Sequence, residues 1–542
     1  MPFLAQTHVQ IPTKDILSWT YDTPLFDQHK AIYIDAADET QSITAAQARL
    51  FTRQLIAGFK KAGLNKGDVV LIHSFNNIWY PVIVLGIVGF GGIFTGTNPS
   101  YTPAELKHAI DASKVKLIIS EPELLSSINT LVETNSFSPS KILVLDSPNQ
   151  ANSSGFPSWR TLLTHGEQDW LRFDSLRTSK DTTALLLFSS GTTGLPKPAK
   201  LSHYNLIAQH TLVYEVRPLP YDLSRLVHLP MFHASTAPST HISALRAGHT
   251  QYIMPRFSIA NYLNYLEKHK ITDITLVPPV VTTLVSSPLP LSTKQKCLRF
   301  VKRGIASAAP LDKDMQARFK ALLSPDATFN QFWAMSETAC IACEVPYPEN
   351  DITGSVGTFL PNLDVKLLHD EGHDITAYGV RGELAIRGPT VTEGYLGVPR
   401  ERDFDAEGYF ITGDIMYCDP ETKLWYVVDR KKELIKVRGF QVAPAELEGV
   451  LLRHPGIRDA AVIGIMSVDG DSELPRAYVV RKEGSEGLQE KDVKAWMEGK
   501  LAKYKRLEGG VRFVQEIPKT ASGKILKRTL REMAKRDMGA KL

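Results

Sequence analysis

Cysteine is scarce in this chain. Four of its 542 residues are Cys (Cys297, Cys340, Cys343, Cys418), too few for a disulfide framework, and that points to a reducing compartment. The Cys340-x-x-Cys343 pair lacks a second pair or nearby histidines, so it does not read as a metal site. Strong charge of one sign is missing too. With 62 Lys and Arg against 58 Asp and Glu the net charge is +4, which makes no electrostatic case for nucleic acid or a membrane surface as partner. Long apolar runs are also absent. The most apolar stretch, WYPVIVLGIVGFGGIF (79–94), is shorter than a spanning helix and is interrupted by four glycines. A buried core helix is expected there, with no transmembrane segment. The N-terminus has no apolar segment behind a basic start, so no secretory signal is read.

What is present is an ordinary globular composition, 43% hydrophobic and 22% charged, in a chain too long for a single core. The runs VVLIH (69–73), VKLII (115–119) and ILVL (142–145) alternate with helical stretches such as 45–62, the pattern of an α/β domain. The segment SPNQANSSGFPS (147–158) reads as a surface loop. Beyond Tyr378 the texture changes to short strands, GELAIRG, GYFITGD and KLWYVVD, bounded by turn residues. After Asp429 charge density rises, and residues 500–542 hold 13 Lys and Arg against 4 Asp and Glu. A helix over 492–504 would place Val493, Trp496, Met497 and Leu501 on one face, enough to pack a small separate core. The expected division is therefore 1–428 and 429–542.

The stretch LLLFSSGTTGLPK (185–197) ends an apolar strand in a loop of hydroxyls and glycines closed by a lysine. Such a ribbon of N–H and O–H donors suits an oxyanion, above all a polyphosphate. Its G-x-x-G-x-x-K spacing does not fit the G-x-x-x-x-G-K-[ST] P-loop. SSGTTGLPK instead resembles the phosphate loop of the adenylate-forming enzymes: acyl-CoA synthetases, luciferases and peptide-synthetase adenylation domains. GTNPSYTPAEL (96–106), LPMFH (229–233), ASAAPL (306–311), QFWAMSET (331–338), GYFITGD (408–414), DRKKELIKVRGFQVAPAELE (429–448) and PKTASGK (518–524) follow in that family's order. The resemblance spans most of the chain and is nearest to 4-coumarate–CoA ligase-like enzymes.

The resemblance implies a fold with a large N-terminal part of α/β subdomains plus a β-rich subdomain. A small, mobile α+β C-terminal domain would turn about a hinge at Asp429. It implies that ATP and a carboxylic acid (aryl, arylalkanoic or medium-chain) give an acyl adenylate, which passes to coenzyme A. A carrier-protein thiol or other acceptor, and a non-catalytic nucleotide-binding role, are the alternatives. Ser189, Ser190, Gly191, Thr192, Thr193, Gly194 and Lys197 would grip the phosphates. Ser336 would bind the α-phosphate, Trp333 offer a face to adenine, and Asp414 with Arg430 hold the ribose. Glu337 would carry Mg²⁺. Lys524, Lys436, Gln441 and His233 match catalytic positions, and His233, Ala234, Ser235, Ala308, Phe332 and Ala334 would line the acid pocket.

Several positions depart from the family pattern. Pro198-Ala199 follows Lys197 in place of Gly-Val, Ser307 replaces a glycine, and Phe332 and Ala334 stand where Gly is usual. Ala234-Ser235 replaces bulkier residues, so the acid of the coumarate ligases is not transferred. The C-terminal Ala540-Lys541-Leu542 is a variant of the S-K-L address. It suggests a peroxisomal import receptor as partner, with a cytoplasmic location otherwise.

Overall fold

The computed structural model of the chain describes residues 3–147, 155–189, 196–309, 311–438, 440–467, 472–498, 500–520 and 523–539. Most of the expected 147–158 loop, the phosphate-loop residues 190–194 and the terminal tripeptide lie outside them. The first β-rich runs form a six-stranded sheet. Its order is Ile142–Val144, Val115–Ser120, Val69–His73, Ile93–Thr97, Thr183–Ser189 and Lys197–Ser202. Only the last strand is antiparallel to its neighbour. The apolar stretch is the helix Tyr80–Gly89, buried at every position. A Cβ on Gly86 or Gly89 would fall 2.6 or 2.5 Å from Leu55 and Ile56, which lie on helix Ala45–Lys61. Those glycines let two helices approach closely. No helix among the described residues is long and apolar enough to cross a membrane.

A nine-stranded sheet lies beside the first. Its strands Ser224–Val227, Asp273–Leu276, Arg303–Ala306 and Thr328–Met335 run parallel, and loops at their carboxyl ends are where α/β sheets build sites. The chain then turns antiparallel into Cys340–Glu344. The predicted β-rich region forms an antiparallel five-stranded sheet ending in Gly382–Arg387, Phe410–Cys418 and Trp425–Arg430.

Beyond Arg430 comes the hairpin Ile435–Val437/Phe440–Val442, then a three-stranded sheet with helices Pro444–Leu452, Glu490–Glu498 and Lys527–Gly539. Its two apolar clusters draw only on residues from Ile435 onward. This part therefore packs its own core. The helix expected over 492–504 runs instead from Glu490 to Glu498. Lys500 and Leu501 both return their N–H groups to the Met497 carbonyl, which closes the helix, while Leu501 and Tyr504 still pack on the core. The two parts touch through Arg453 Nη1 and Asp314 Oδ2 at 3.0 Å. They also meet where Gly523 lies against Val277 and Pro279.

The nine- and five-stranded sheets join at Gly357, whose carbonyl accepts from Trp425 N–H at 2.9 Å. Gly357 has φ +85°, and a Cβ there would stand 2.1 Å from the Glu344 carbonyl. Gly357→Ala should cost about 2–4 kcal/mol through backbone clash and left-handed strain. Denaturant unfolding followed by tryptophan fluorescence would measure it, and an unchanged midpoint would contradict the close approach.

Candidate active site

Two neighbouring strands pair Asp414 with Arg430 in register. Arg430 Nε lies 3.0 Å from Asp414 Oδ1, and Trp333 Nε1 donates to Asp414 Oδ2 at 2.8 Å. Each carboxylate oxygen thus holds one donor and keeps a lone pair for a further one. Trp333 is 5% exposed, with Phe359 edge-on at 5.9 Å. Most of its ring belongs to the core, and its indole N–H sets the Asp414 carboxylate, a role its sequence context did not reveal.

The strand Thr328–Met335 ends in a short 3₁₀ turn, Ser336–Thr338, and two left-handed residues, Ala339 (φ 56°) and Cys340 (φ 110°), reverse the chain. Ala308 is also left-handed at φ 79°. Such strain in non-glycine residues gathers at functional sites. The turn presents Glu337, which is buried. Tyr395 donates its hydroxyl to Glu337 Oε1 at 2.5 Å. Burial, and then the Glu337 charge, push the Tyr395 phenol well above its usual range, and Ser189 shares its hydroxyl. Ser189 pairs with Lys197 across the mouth of the predicted phosphate loop, and Lys197 Nζ stands 5.3 Å over the Tyr395 ring. Tyr395, which the sequence reading did not single out, therefore joins Ser189, Lys197 and Glu337. Its place between two glycines in T-E-G-Y-L-G was the available signal.

His233 follows the strand Ser224–Val227 after a short loop. Its Nδ1 accepts from the Ser235 N–H at 3.2 Å and lies 2.9 Å from Ser235 Oγ. A backbone N–H can only donate, so the neutral ring carries its proton on Nε2. Burial, and then the charge of Lys524, push His233 down to about 4, so it is neutral at physiological pH. Lys524 itself is pushed down to about 8 by desolvation and by Arg430, against the pull of Glu433, Asp414 and Glu337. It rides on a tight turn in which Thr520 N–H donates to the Lys524 carbonyl and Thr520 Oγ1 accepts from Lys524 N–H.

Three residues on, Lys527 is buried at the start of the last helix, 2.9 Å from Glu433 and 3.7 Å from Glu448. Asp429 belongs to the same cluster. Its carboxylate accepts from Ala445 N–H at 3.1 Å and from its neighbour Arg430 N–H at 2.7 Å. Desolvation raises both Asp429 and Glu448, opposed first by Lys527. The sequence reading missed Lys527 and Glu433 because a basic tail offers many lysines and only tertiary contact distinguishes one.

The structure does not gather every predicted residue. Lys436 and Gln441 face each other across the C-terminal hairpin. Both are exposed, and Gln441 Nε2 donates to Asp370 Oδ2 at 3.0 Å. On the acid side, Ala234 and Phe332 are buried, Ser235 and Ala334 half-buried, and Ala308 exposed.

Residues 25–396 match the family model of the AMP-binding enzyme, and residues 446–524 match the AMP-binding enzyme C-terminal domain. The chain is 49% identical to phenylacetyl-CoA ligase epaB of Aspergillus niger, over 99% of each chain. It is 37% identical to nicotinic acid-CoA ligase olcI of Penicillium canescens, over 94% of this chain and 96% of that one. The ATP-bound MatB structure from Rhodopseudomonas palustris matches with TM-score 0.82 at 26% identity, covering 96% of this chain and 98% of that one. The chain belongs to the AMP-binding, adenylate-forming enzyme family. Within that family its activity is that of an ATP-dependent acyl-CoA ligase.

Lys527→Met would leave Asp429, Glu433 and Glu448 without their shared cation. Removing one partner of a buried pair costs about 3–5 kcal/mol, and a thermal or denaturant midpoint would register it. Carboxyls whose folded pKa exceeds the unfolded value cost more stability as pH rises. The deficit should therefore be larger at pH 8 than at pH 5, and a deficit independent of pH would contradict the cluster.

Proposed function

We propose that the protein activates an arylalkanoic acid of the phenylacetate type through two half-reactions at this one site. In the first, a carboxylate oxygen attacks the α-phosphorus of ATP. The bond to the β-phosphate breaks, leaving acyl adenylate and pyrophosphate. In the second, the coenzyme A sulfur attacks the acyl carbon and AMP departs with the former carboxylate oxygen. One observation carries the reading. Lys524, from the C-terminal part, lies among Arg430, Asp414 and Glu337 and near His233; desolvation and then Arg430 lower the lysine, and burial and then the Lys524 charge lower the histidine.

Phosphoryl chemistry of this kind needs mainly positioning and charge stabilisation. Lys524 bridges the acid's carboxylate and the α-phosphate. His233, neutral with its proton on Nε2, acts as a hydrogen-bond donor between them rather than as a base. Asp414, set by Trp333 and Arg430, accepts from the ribose hydroxyls. Ser336 meets the α-phosphate, while Ser189 and Lys197 steady the departing pyrophosphate together with residues 190–194.

A magnesium ion fits at Glu337. It takes one or two carboxylates and keeps several waters, and Glu337 is a single buried carboxylate with the Tyr395 hydroxyl on one oxygen. When bound, Mg²⁺ would neutralise phosphate charge, while Tyr395 fixes the carboxylate that holds it. Rotation at Asp429 would then withdraw Lys524 and bring in Lys436 and Gln441 for the thiol step. Support for the acid class comes from the name of the Aspergillus niger relative. The small side chains of Ala234 and Ser235, at positions the resemblance assigns to the acid pocket, are compatible with an aryl group.

Acid-dependent exchange of pyrophosphate into ATP, run over benzoates, cinnamates, phenylacetates and graded fatty acids, should be fastest with phenylacetates. Exchange with none of the aryl acids would overturn the assignment. Lys524→Ala should slow adenylation by roughly 10²–10³, the worth of one lost transition-state donor, yet still convert a supplied acyl adenylate to thioester. Equal loss in both half-reactions would contradict the division of labour. Because the Lys524 ammonium loses its proton near pH 8, kcat/KM for adenylation should fall as pH rises through that value. Lys524→Arg should move that descending limb to higher pH, and an unmoved limb would assign it to another group.

A further inference from the structure

The hairpin tip between strands Asp364–Leu368 and Asp374–Ile375 carries three groups that acyl transfer does not use: His369, Glu371 and His373. His369 N–H donates to the His373 carbonyl at 2.9 Å, and Gly372 N–H returns to the His369 carbonyl at 2.9 Å. Gly372 takes φ +87° to close the turn. The closed turn brings both imidazoles together, with ring centroids 4.4 Å apart and planes 18° apart. Glu371 reaches back to them. Its Oε2 lies 4.0 Å from His369 Nδ1 and 3.8 Å from His373 Nδ1.

One ligand atom from each of the three lies within 4.8 Å of the others. Bonds of about 2.0–2.2 Å to nitrogen and oxygen place tetrahedral zinc ligands roughly 3.3–3.5 Å apart. The observed separations are slightly wider, and these are exposed side chains (47%, 78% and 60%) on a fixed backbone, so small rotations suffice to close on an ion. Glu371 N–H also donates a long bond to His369 Nδ1 at 3.3 Å, a contact that an ion at that nitrogen would replace. Two imidazoles and one carboxylate select zinc, copper, nickel or cobalt over magnesium or calcium, which want an all-oxygen shell.

We propose that His369, Glu371 and His373 form a surface site for a divalent ion of the zinc class, with water completing the shell. The site adjoins the contact between the two parts of the chain. Asp370, between the ligands, accepts from Gln441 Nε2 at 3.0 Å and pairs with Lys431 Nζ at 3.3 Å. An ion here would sit at the tip that holds the C-terminal hairpin, far in sequence from Glu337.

The full-length protein, freed of metal by chelation, would be titrated with Zn²⁺ by calorimetry and with Co²⁺ by visible absorption. One ion per chain should bind, with the cobalt spectrum showing nitrogen ligation. That ion should be lost in the His369→Ala/His373→Ala double variant, and binding should weaken in Glu371→Gln. These exposed residues lie outside the catalytic site, so adenylation by the double variant should match the parent and certify its fold. Absence of a stoichiometric ion, or an ion retained by the double variant, would overturn the proposal. Because the readout is binding alone, its failure would leave the ligase reading untouched, and the reverse also holds.

Discussion

The structure turns on holding half-buried Lys524, its ammonium partly desolvated, among charges supplied by other parts of the chain. Desolvation alone drives the group towards neutrality, and Arg430 pushes the same way. Glu433, Asp414 and Glu337 push back, so the site holds a lysine whose charge is conditional. The same ammonium depresses His233. Burial does most to keep that imidazole neutral, and this charge adds to it.

That placement depends on supports which are not themselves reactive. Lys527, one helix start away, anchors the Lys524 turn to Glu433 and Glu448. Asp429, the last residue but one of the five-stranded sheet's final strand, holds the N–H of Ala445 in the C-terminal part. On the other side, Trp333 and Arg430 set the Asp414 carboxylate, and Tyr395 sets Glu337. Each of these groups is oriented by a neighbour whose own position is fixed by a strand or a turn. This is the economy by which a site keeps its geometry without a ligand.

The exposure of Lys436 and Gln441, against the desolvation of Lys524, has a simple physical consequence. The residues expected to be catalytic stand in different environments: Lys436 and Gln441 exposed, Lys524 half-buried. The Gln441–Asp370 and Arg453–Asp314 contacts are surface pairs, each worth about 0–1 kcal/mol. These two pairs therefore cost little to release.

Much of the chemistry was legible in the sequence, because the motifs are local. The G-x-x-G-x-x-K loop, the acidic S-E-T segment and the T-A-S-G-K segment are each recognisable from a few consecutive residues. Strand runs such as 69–73 and the buried glycine-bearing helix 80–89 followed from apolar patterning in the same way. The apolar stripe over 492–504 outlasts its helix, which ends at Glu498, because Leu501 packs on the core from beyond that end. What the sequence did not show is every contact between distant segments. The Trp333–Asp414 bond joins residues 81 apart, and the Tyr395–Glu337 bond joins residues 58 apart. The tautomer of His233, the lowered Lys524 and the choice of Lys527 among many lysines depend on burial and on neighbours brought in by folding. Sequence determined which groups are available. Tertiary structure alone decided which are desolvated, which are paired, and hence which carry charge.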